Sequence, residues 1–529
     1  MSRPHTATRA FVLGLDGVPW TLIEQWTDDG TLPNFKRLRE EGATGPLEST
    51  SPPTTSLSWP SIATGVWPDK HGIYGFQKFL PSYSHRMYTS RDLRQPALWD
   101  QLGPSIVGNV PMTYPASEID GELVTGMLTP STDEQFTHPP ELGARIRKQI
   151  PNYRISLDYT EYADRVDAFP AAVDDLLAMR RELLELLMAE RDDWELFFFV
   201  FVAPDRLQHL VWDEKRLREH YQRLDEILGQ VMAYTDDHDA DLYVVSDHGF
   251  GPVEEIVYVN HYLEREGYLV RRGDDGTRGA LARAGISRDS VTSALERLGI
   301  TEERLLAALP RSVLDAVAAQ FPGDDALYDV DYSQTTAFVH DAGNCFINDT
   351  ERFENGIVPP ERVPAVKAEL IDYFESITDD DGDRLFRVFD GDELHSADDD
   401  SPDIIVNAVD GYESRNAIAD TPAADPDVTV ASHRHEGVVC CRGPSIEGGV
   451  AIDDATVVDV APTLLHGLGK PVPSNADGDV RFDVFHEDAP AANRAVTTTT
   501  VGRQQTDEAA DDDQFDDVEE RLQGLGYME

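Results

Sequence analysis

The chain has 529 residues, of which 98 are Asp or Glu and only 45 are Lys or Arg, so its formal net charge at pH 7 is -53. That charge argues against binding a nucleic acid polymer, whose phosphates repel an acidic surface. A hydrophobic content of 40% is that of a globular protein, and no apolar run reaches the roughly 18 residues that predict membrane insertion.

The first half of the chain alternates apolar runs of strand length with longer stretches of helical spacing. The residues predict strands at 10–15, 105–110, 123–127, 196–202 and 242–246, and helices at 31–41, 171–191 and 216–233. Nearly continuous apolar strands separated by helices are typical of a mostly parallel central sheet covered on both faces. The fold class predicted is therefore α/β, an α/β/α sandwich.

The second half is less regular, and it predicts an inserted region. Short helices are expected at 274–329, short strands and turns at 332–399, core strands again at 404–409 and 437–441, and a last core helix at 453–468. These changes of pattern suggest four parts: a catalytic core in residues 1–265, an insertion or cap in 266–400, a second part of the core in 401–487, and an acidic flexible tail with a short terminal helix in 488–529.

The first half of the chain offers two candidate site residues, one at the end of the first strand and one in a later loop. Asp16 ends the first strand, where open α/β sheets bind ligands. Thr55 follows a Pro-Pro-Thr sequence, and a helix beginning near Ser56 would place its N-terminal N–H groups beside a phosphoryl group. A hydroxyl at that place can act as a nucleophile when a metal ion activates it.

Three further segments carry side chains that bind metal ions. Asp205 and His209 are four residues apart and share a helical face, although a surface ion pair has the same spacing. Asp247 and His248 are adjacent at a strand end, followed by glycine. Near the last core strand stand His433 and His435, and spacing alone does not choose between them.

These segments together provide mixed oxygen and nitrogen ligands for two divalent cations. Pairs of such cations stabilise both the attacking and the leaving oxygen in phosphoryl transfer. Zinc suits the histidine-rich set, and manganese is the alternative. A small phosphate ester is therefore the expected partner despite the acidic surface, because bound cations reverse the local sign of charge.

The ordered set of segments resembles the type I phosphodiesterase/nucleotide pyrophosphatase family of the alkaline phosphatase superfamily. The similarity runs from about residue 11 to residue 484 and includes Asn109 to Pro115, Ser401 to Asp403 and Val458 to Leu464. It implies an alkaline phosphatase-like fold and hydrolysis of a phosphodiester or pyrophosphate bond through a phosphothreonine.

The resemblance also implies a role for each site residue. One ion would be held by Asp205, His209 and His433, which fits the family's histidine position better than His435 does. The other ion would be held by Asp16, Asp247, His248 and the oxygen of Thr55, the implied nucleophile.

One departure from the family affects substrate choice. Its nucleotide pyrophosphatases carry Asn three residues after the nucleophile, whereas this chain has Ser58, which leaves nucleotide specificity open. The alternatives are a phosphomonoesterase, phosphonate hydrolase or phosphoryl-group transferase using the same metal ions and, last, a non-catalytic binding protein. The sequence does not predict the oligomeric state.

Composition also suggests where the protein works. The N-terminus lacks an apolar leader segment, and the chain has only three cysteines, which favours a cytoplasmic location. An acidic surface repels itself in dilute buffer and is relieved by salt. We therefore expect adaptation to a high-salt, halophilic cytoplasm.

Overall fold

The computed structural model describes residues 7–523 except 133–134, 158–161, 163–164, 273–329, 342, 380, 396–397, 399, 427–428 and 504–514. The short helices expected at 274–329 lie outside the described residues, as does much of the acidic tail.

Strands and helices alternate along the first 265 residues. In chain order they are β1 (Ala10–Leu15), α1 (Trp20–Asp28), α2 (Pro33–Glu41), β2 (Ala43–Glu48), α3 (Thr55–Thr64), α4 (Pro68–His71), β3 (Gln77–Phe79), β4 (His85–Met87), α5 (Leu98–Gln101), β5 (Ser105–Val110), β6 (Gly121–Thr125), β7 (Thr137–His138), α6 (Pro140–Gln149), α7 (Phe169–Glu190), β8 (Leu196–Phe201), α8 (Ala203–Leu210), α9 (Glu214–Asp237), β9 (Asp241–Val245), β10 (Gly249–Pro252), β11 (Glu255–Tyr258) and α10 (Val259–Arg265).

Shorter elements follow residue 330. They are β12 (Ala337–His340), β13 (Asn344–Ile347), α11 (Val363–Glu375), β14 (Phe386–Asp390), α12 (Gly391–Leu394), β15 (Ile404–Ala408), β16 (Tyr412–Arg415), β17 (Ala423–Ala424), β18 (Ala431–Arg434), β19 (Glu436–Arg442), β20 (Val450–Ala451), β21 (Ala455–Thr456), α13 (Val460–Gly467), β22 (Val472–Pro473), α14 (Pro490–Asn493), β23 (Thr498–Thr499) and α15 (Asp516–Gln523).

A ten-stranded sheet forms the centre of the molecule. Its strand order is β20-β2-β19-β9-β1-β8-β5-β6-β7, with β21 also paired to β2. The five strands from β9 to β6 run parallel to one another, and β19 is antiparallel to both β9 and β2. The expected fold class, an α/β sandwich around a mostly parallel sheet, is confirmed.

The apolar strands are covered on both faces, as their composition predicts. In β8, Phe197, Phe199 and Phe201 face one hydrophobic cluster, which contains α7 and α9. The alternate residues Phe198 and Val200 face the other cluster, which contains α3 and α13. Because side chains alternate across a strand, a strand between two helical layers needs apolar residues at every position.

One strand expected in the core belongs elsewhere. The apolar run at 404–409 forms β15, which pairs with β13 and β14 in a separate four-stranded sheet. The prediction of a core strand there is wrong, because an apolar run indicates burial on both faces without saying in which sheet. A third hydrophobic cluster surrounds this sheet. It draws on residues before 266 and after 400, and the four-part division of the chain stays a prediction.

Two features concern the rest of the second half. The helix expected at 453–468 begins later, with a 3-10 turn at Val457–Asp459 followed by α13. The Asp459 carboxylate accepts the Thr456 backbone N–H at 2.9 Å, which caps that turn. Within the part of the chain that the structure covers, none of the helices is both long and apolar enough to cross a bilayer.

Candidate metal centre

Strand direction places all five polar segments at one edge of the central sheet. The parallel strands β1, β8 and β9 end at this edge and lead to Asp16, to α8 and to Asp247. Because β19 is antiparallel to β9, it begins there, just after His433. In turn β2 is antiparallel to β19 and ends there, before the loop that leads to Thr55. Segments far apart in sequence therefore meet.

Asp205, His209 and His433 form what we call the first cluster. The two histidine Nε2 atoms lie 3.2 Å apart, and the Asp205 Oδ1 atom is 3.5 Å from that of His209 and 3.3 Å from that of His433. A tetrahedral zinc ion with bonds of about 2.0–2.1 Å keeps its ligand atoms about 3.3–3.4 Å apart. The spacing and chemistry of the first cluster therefore fit a zinc ion.

Asp16, Thr55, Asp247 and His248 form the second cluster. The Thr55 Oγ atom is 3.3 Å from Asp16 Oδ1 and 3.2 Å from His248 Nε2, and His248 Nε2 is 3.3 Å from Asp247 Oδ2. Among the described residues, Asp247 Oδ2 has no hydrogen-bond partner, so its lone pairs remain available to a cation. Asp205 Oδ1 lies 4.0 Å from His248 Nε2, which places it between the two clusters.

Hydrogen bonds hold two of the three histidines, His248 and His433, with Nε2 toward the clusters. His433 Nδ1 lies 3.0 Å from the backbone oxygen of Pro53, and His248 Nδ1 lies 3.0 Å from that of Gly249. Such bonds to the second nitrogen set the tautomer and orientation of metal-binding imidazoles. The ring of Phe250 contacts His209 and His433 at centroid distances of 4.9 and 5.2 Å.

The turns that carry Asp16 and Asp247 are fastened to each other. The Gly17 N–H donates to Asp247 Oδ1 at 3.1 Å, and the Val18 N–H donates to the Ser246 hydroxyl at 2.9 Å. Gly17 has a positive φ of 70°, a conformation that glycine adopts without strain. From α8, the Gln208 amide donates to the Gly17 carbonyl at 2.7 Å. Hydrogen bonds thus connect the segments that follow β1, β8 and β9 to one another.

The helix α3 begins at Thr55, which is fully buried. Three residues later, Ser58 lies within hydrogen-bond distance of Ser49 and Thr50, at 2.9 and 2.8 Å between hydroxyl oxygens. The Ser49 hydroxyl also donates to the Asp247 carbonyl at 2.6 Å. Ser58 therefore links the start of α3 to the strand end that carries Asp247.

Burial and neighbouring charge perturb the acids and the imidazoles of the centre. Burial, together with the charges of Asp247 and Asp205, raises the pKa of Asp16 well above its usual range. Burial also raises the pKa of Asp247, and it lowers the pKa values of His248 and His433. Adjacent buried carboxylates are costly to ionise without a cation between them, and neutral imidazoles are the form that binds metal ions.

All seven expected site residues lie in the two clusters. Of the two histidines near β19, His433 joins the first cluster, whereas His435 Nδ1 lies 3.6 Å from Glu48 Oε1 outside it. Sequence reasoning missed Phe250 and Trp59, whose indole N–H donates to Asp16 Oδ2 at 3.0 Å. Trp59 stands four residues after Thr55, a spacing that places both on one helical face and that could have signalled it.

Comparisons with known proteins identify the family of the chain. The sequence profile of the family described as type I phosphodiesterase/nucleotide pyrophosphatase matches residues 10–438. A comparison with curated proteins finds no match.

Among solved structures, the chain is similar to two of murine ectonucleotide pyrophosphatase/phosphodiesterase 5. One is an inactive form in complex with AMP, at 12% identity, and the other is 13% identical. In both, the TM-score is 0.50 and the alignment covers 90% of this chain and 100% of the other. At this identity the similarity shows a shared fold.

The profile match spans most of the chain and includes all seven clustered residues, with His433 near its end. The chain therefore belongs to the type I phosphodiesterase/nucleotide pyrophosphatase family and is a hydrolase of that type.

Proposed function

We propose that this protein hydrolyses a phosphodiester or pyrophosphate bond through a phosphothreonine formed on Thr55, with two divalent cations bound by the two clusters. One observation carries the proposal: Thr55 Oγ lies within 3.3 Å of both Asp16 Oδ1 and His248 Nε2, so the hydroxyl belongs to a ligand set.

The proposed reaction has two steps, attack by Thr55 and then hydrolysis by water. Thr55 attacks phosphorus, forming the Oγ–P bond as the bond to the leaving oxygen breaks. Its hydroxyl proton passes to solvent, and the N–H groups of the first turn of α3 face the charge that develops on the phosphoryl oxygens. Water then cleaves the Oγ–P bond, which restores the Thr55 hydroxyl and releases the phosphoryl product.

The first cluster would hold one cation through Asp205, His209 and His433, and the second would hold the other through Asp16, Asp247, His248 and Thr55. When bound, the two cations would lower the pKa of the hydroxyl and neutralise phosphoryl charge. Zinc is proposed because the imidazole-rich spacing of the first cluster suits tetrahedral zinc, and manganese remains the alternative metal.

The substrate proposed is a small phosphate ester. The AMP complex of the murine protein supports a nucleotide as one member of that class. Ser58 stands where the resemblance implies a side-chain amide in nucleotide pyrophosphatases, and this difference leaves the nucleotide specificity open. Comparing hydrolysis of bis-nitrophenyl phosphate with mononitrophenyl phosphate, in molar KCl with added zinc or manganese, separates diester from monoester activity. Preference for the monoester would favour the phosphomonoesterase alternative.

The nucleophile is tested with Thr55→Ala and a matched neighbour, Thr54→Ala. The Thr54 hydroxyl contacts only the Ser56 hydroxyl, at 3.2 Å, among the bonds found for it. We expect Thr55→Ala to reduce kcat by about 1,000-fold or more, as loss of a nucleophile does in other hydrolases, while zinc still binds the first cluster. Thr54→Ala should stay within about threefold of wild type. Near-wild-type turnover by Thr55→Ala would exclude the proposed mechanism.

A further inference from the structure

Asp16 presents its two carboxylate oxygens to different partners. Its Oδ2 atom accepts the Trp59 indole N–H at 3.0 Å, and its Oδ1 atom lies 3.3 Å from Thr55 Oγ and 3.7 Å from His248 Nε2. Asp16 is fully buried, so water does not compete for either oxygen. An indole nitrogen only donates hydrogen bonds, and it cannot itself bind a cation.

One helix delivers both partners of that carboxylate. Thr55 is the first residue of α3, and Trp59 is one turn further along the same face. The backbone of α3 therefore sets the distance between the nucleophile and the indole. Because both oxygens belong to one carboxylate, a rotation that moves Oδ1 away from Thr55 also moves Oδ2 away from Trp59.

The indole ring occupies space that a side chain on Gly14 would fill. A Cβ atom on Gly14, in β1, would lie 2.4 Å from Trp59 Cη2 and 2.9 Å from Cζ3. The ring also packs edge-on to Phe198 of β8 at a centroid distance of 6.1 Å. Gly14 is two residues before Asp16, so the same strand provides both the space for the ring and the carboxylate that it binds.

We infer that Trp59 is a positioning residue for the second cluster, where its indole N–H holds the Asp16 carboxylate with Oδ1 toward Thr55 and His248. The inference rests on the proposed function, since it assumes that the second cluster binds a cation. Trp59 acts through Asp16 and does not itself contact substrate. Partners that orient metal ligands in this way typically contribute about 10–100-fold to metal affinity or activity.

The chain offers a matched control in Trp99. Both indoles are buried and both rings lie edge-on to Phe198, Trp99 at 5.8 Å and 75° and Trp59 at 6.1 Å and 66°. Replacing either by Phe keeps an aromatic ring against Phe198. Only Trp59→Phe also removes a hydrogen bond to Asp16, so the difference between the two variants reports that bond.

The test is a calorimetric titration of the metal-free protein with zinc in molar KCl, together with kcat and KM for bis-nitrophenyl phosphate. In wild type we expect two zinc ions to bind. In Trp59→Phe, one of the two affinities should fall by about 10-fold or more while the other is unchanged, and kcat should fall more than KM rises. Trp99→Phe should leave both affinities as in wild type.

Three results would contradict the inference in distinguishable ways. If Trp59→Phe bound both ions and turned over as wild type does, the positioning role would be excluded while the proposed function stood. Equal weakening of both ions in Trp59→Phe would indicate a general structural effect and would also exclude it. If wild type bound no zinc or manganese at all, the proposed function itself would fail, and the inference with it.

Discussion

A buried carboxylate in the central sheet should make stability depend on pH in a defined direction. Asp241 begins β9 and is 1% exposed. Its Oδ1 atom accepts the Ser445 N–H at 3.1 Å, and its Oδ2 atom accepts the Ser445 hydroxyl. Burial outweighs these two bonds and raises the pKa of Asp241 from 3.8 to about 6. The Asp241→Asn variant tests this pH dependence, because its side chain does not titrate. Its amide oxygen can still accept the Ser445 N–H, and its amide nitrogen can donate to the Ser445 hydroxyl.

The sign and size follow from the two pKa values. Between pH 3.8 and about pH 6 the folded protein holds a proton on Asp241 that the unfolded chain has released. The free energy of unfolding therefore falls as pH rises through this range and is level above it. A change from 3.8 to about 6 corresponds to about 3 kcal/mol in total. Roughly 2 kcal/mol of that is lost between about pH 4 and about pH 7.

The assay compares urea unfolding of wild type and Asp241→Asn at several pH values in constant molar KCl. The titration of the acidic surface is shared by both proteins, so their difference isolates residue 241. The variant should gain roughly 2 kcal/mol relative to wild type from about pH 4 to about pH 7. A difference that is flat with pH, or one that falls as pH rises, would refute the reasoning.

Two further predictions concern the surface and the metal centre. Raising KCl from about 0.1 M to about 3 M should increase the midpoint of thermal unfolding, because it shortens the screening length from about 10 Å to well under 3 Å and so weakens repulsion within a chain of net charge -53. A midpoint that falls would exclude the halophilic adaptation. The cytoplasmic location is a prediction from composition that cell fractionation would test. Removing divalent cations with a chelator should lower that midpoint and abolish turnover, because the buried carboxylates of Asp16 and Asp247 then lie close together without a cation between them. Added zinc should restore both stability and turnover. Unchanged stability and activity after verified metal removal would contradict the two-cation proposal.

Most of the central fold could be predicted from local patterns. The strands at β1 and β5 have the predicted bounds, Ala10–Leu15 and Ser105–Val110, and the long helices α7 and α9 differ from prediction by a few residues at their ends. These elements succeed because their apolar spacing reflects burial between two helical layers. The strand β15 shows the limit, because its apolar run is equally consistent with burial in either sheet.

The candidate site could likewise be predicted only in part. Local spacing was enough to identify the side chains that could bind cations, because Asp, His and Thr stand at expected strand ends and helix starts. Spacing left His433 and His435 open, and the resemblance favoured His433. The distances that separate these two histidines, the place of Asp205 between the clusters and the bond from Trp59 to Asp16 follow from the tertiary structure. The physical reason is that these contacts span residues far apart in the chain, and their distances depend on the order, direction and twist of the strands that carry them.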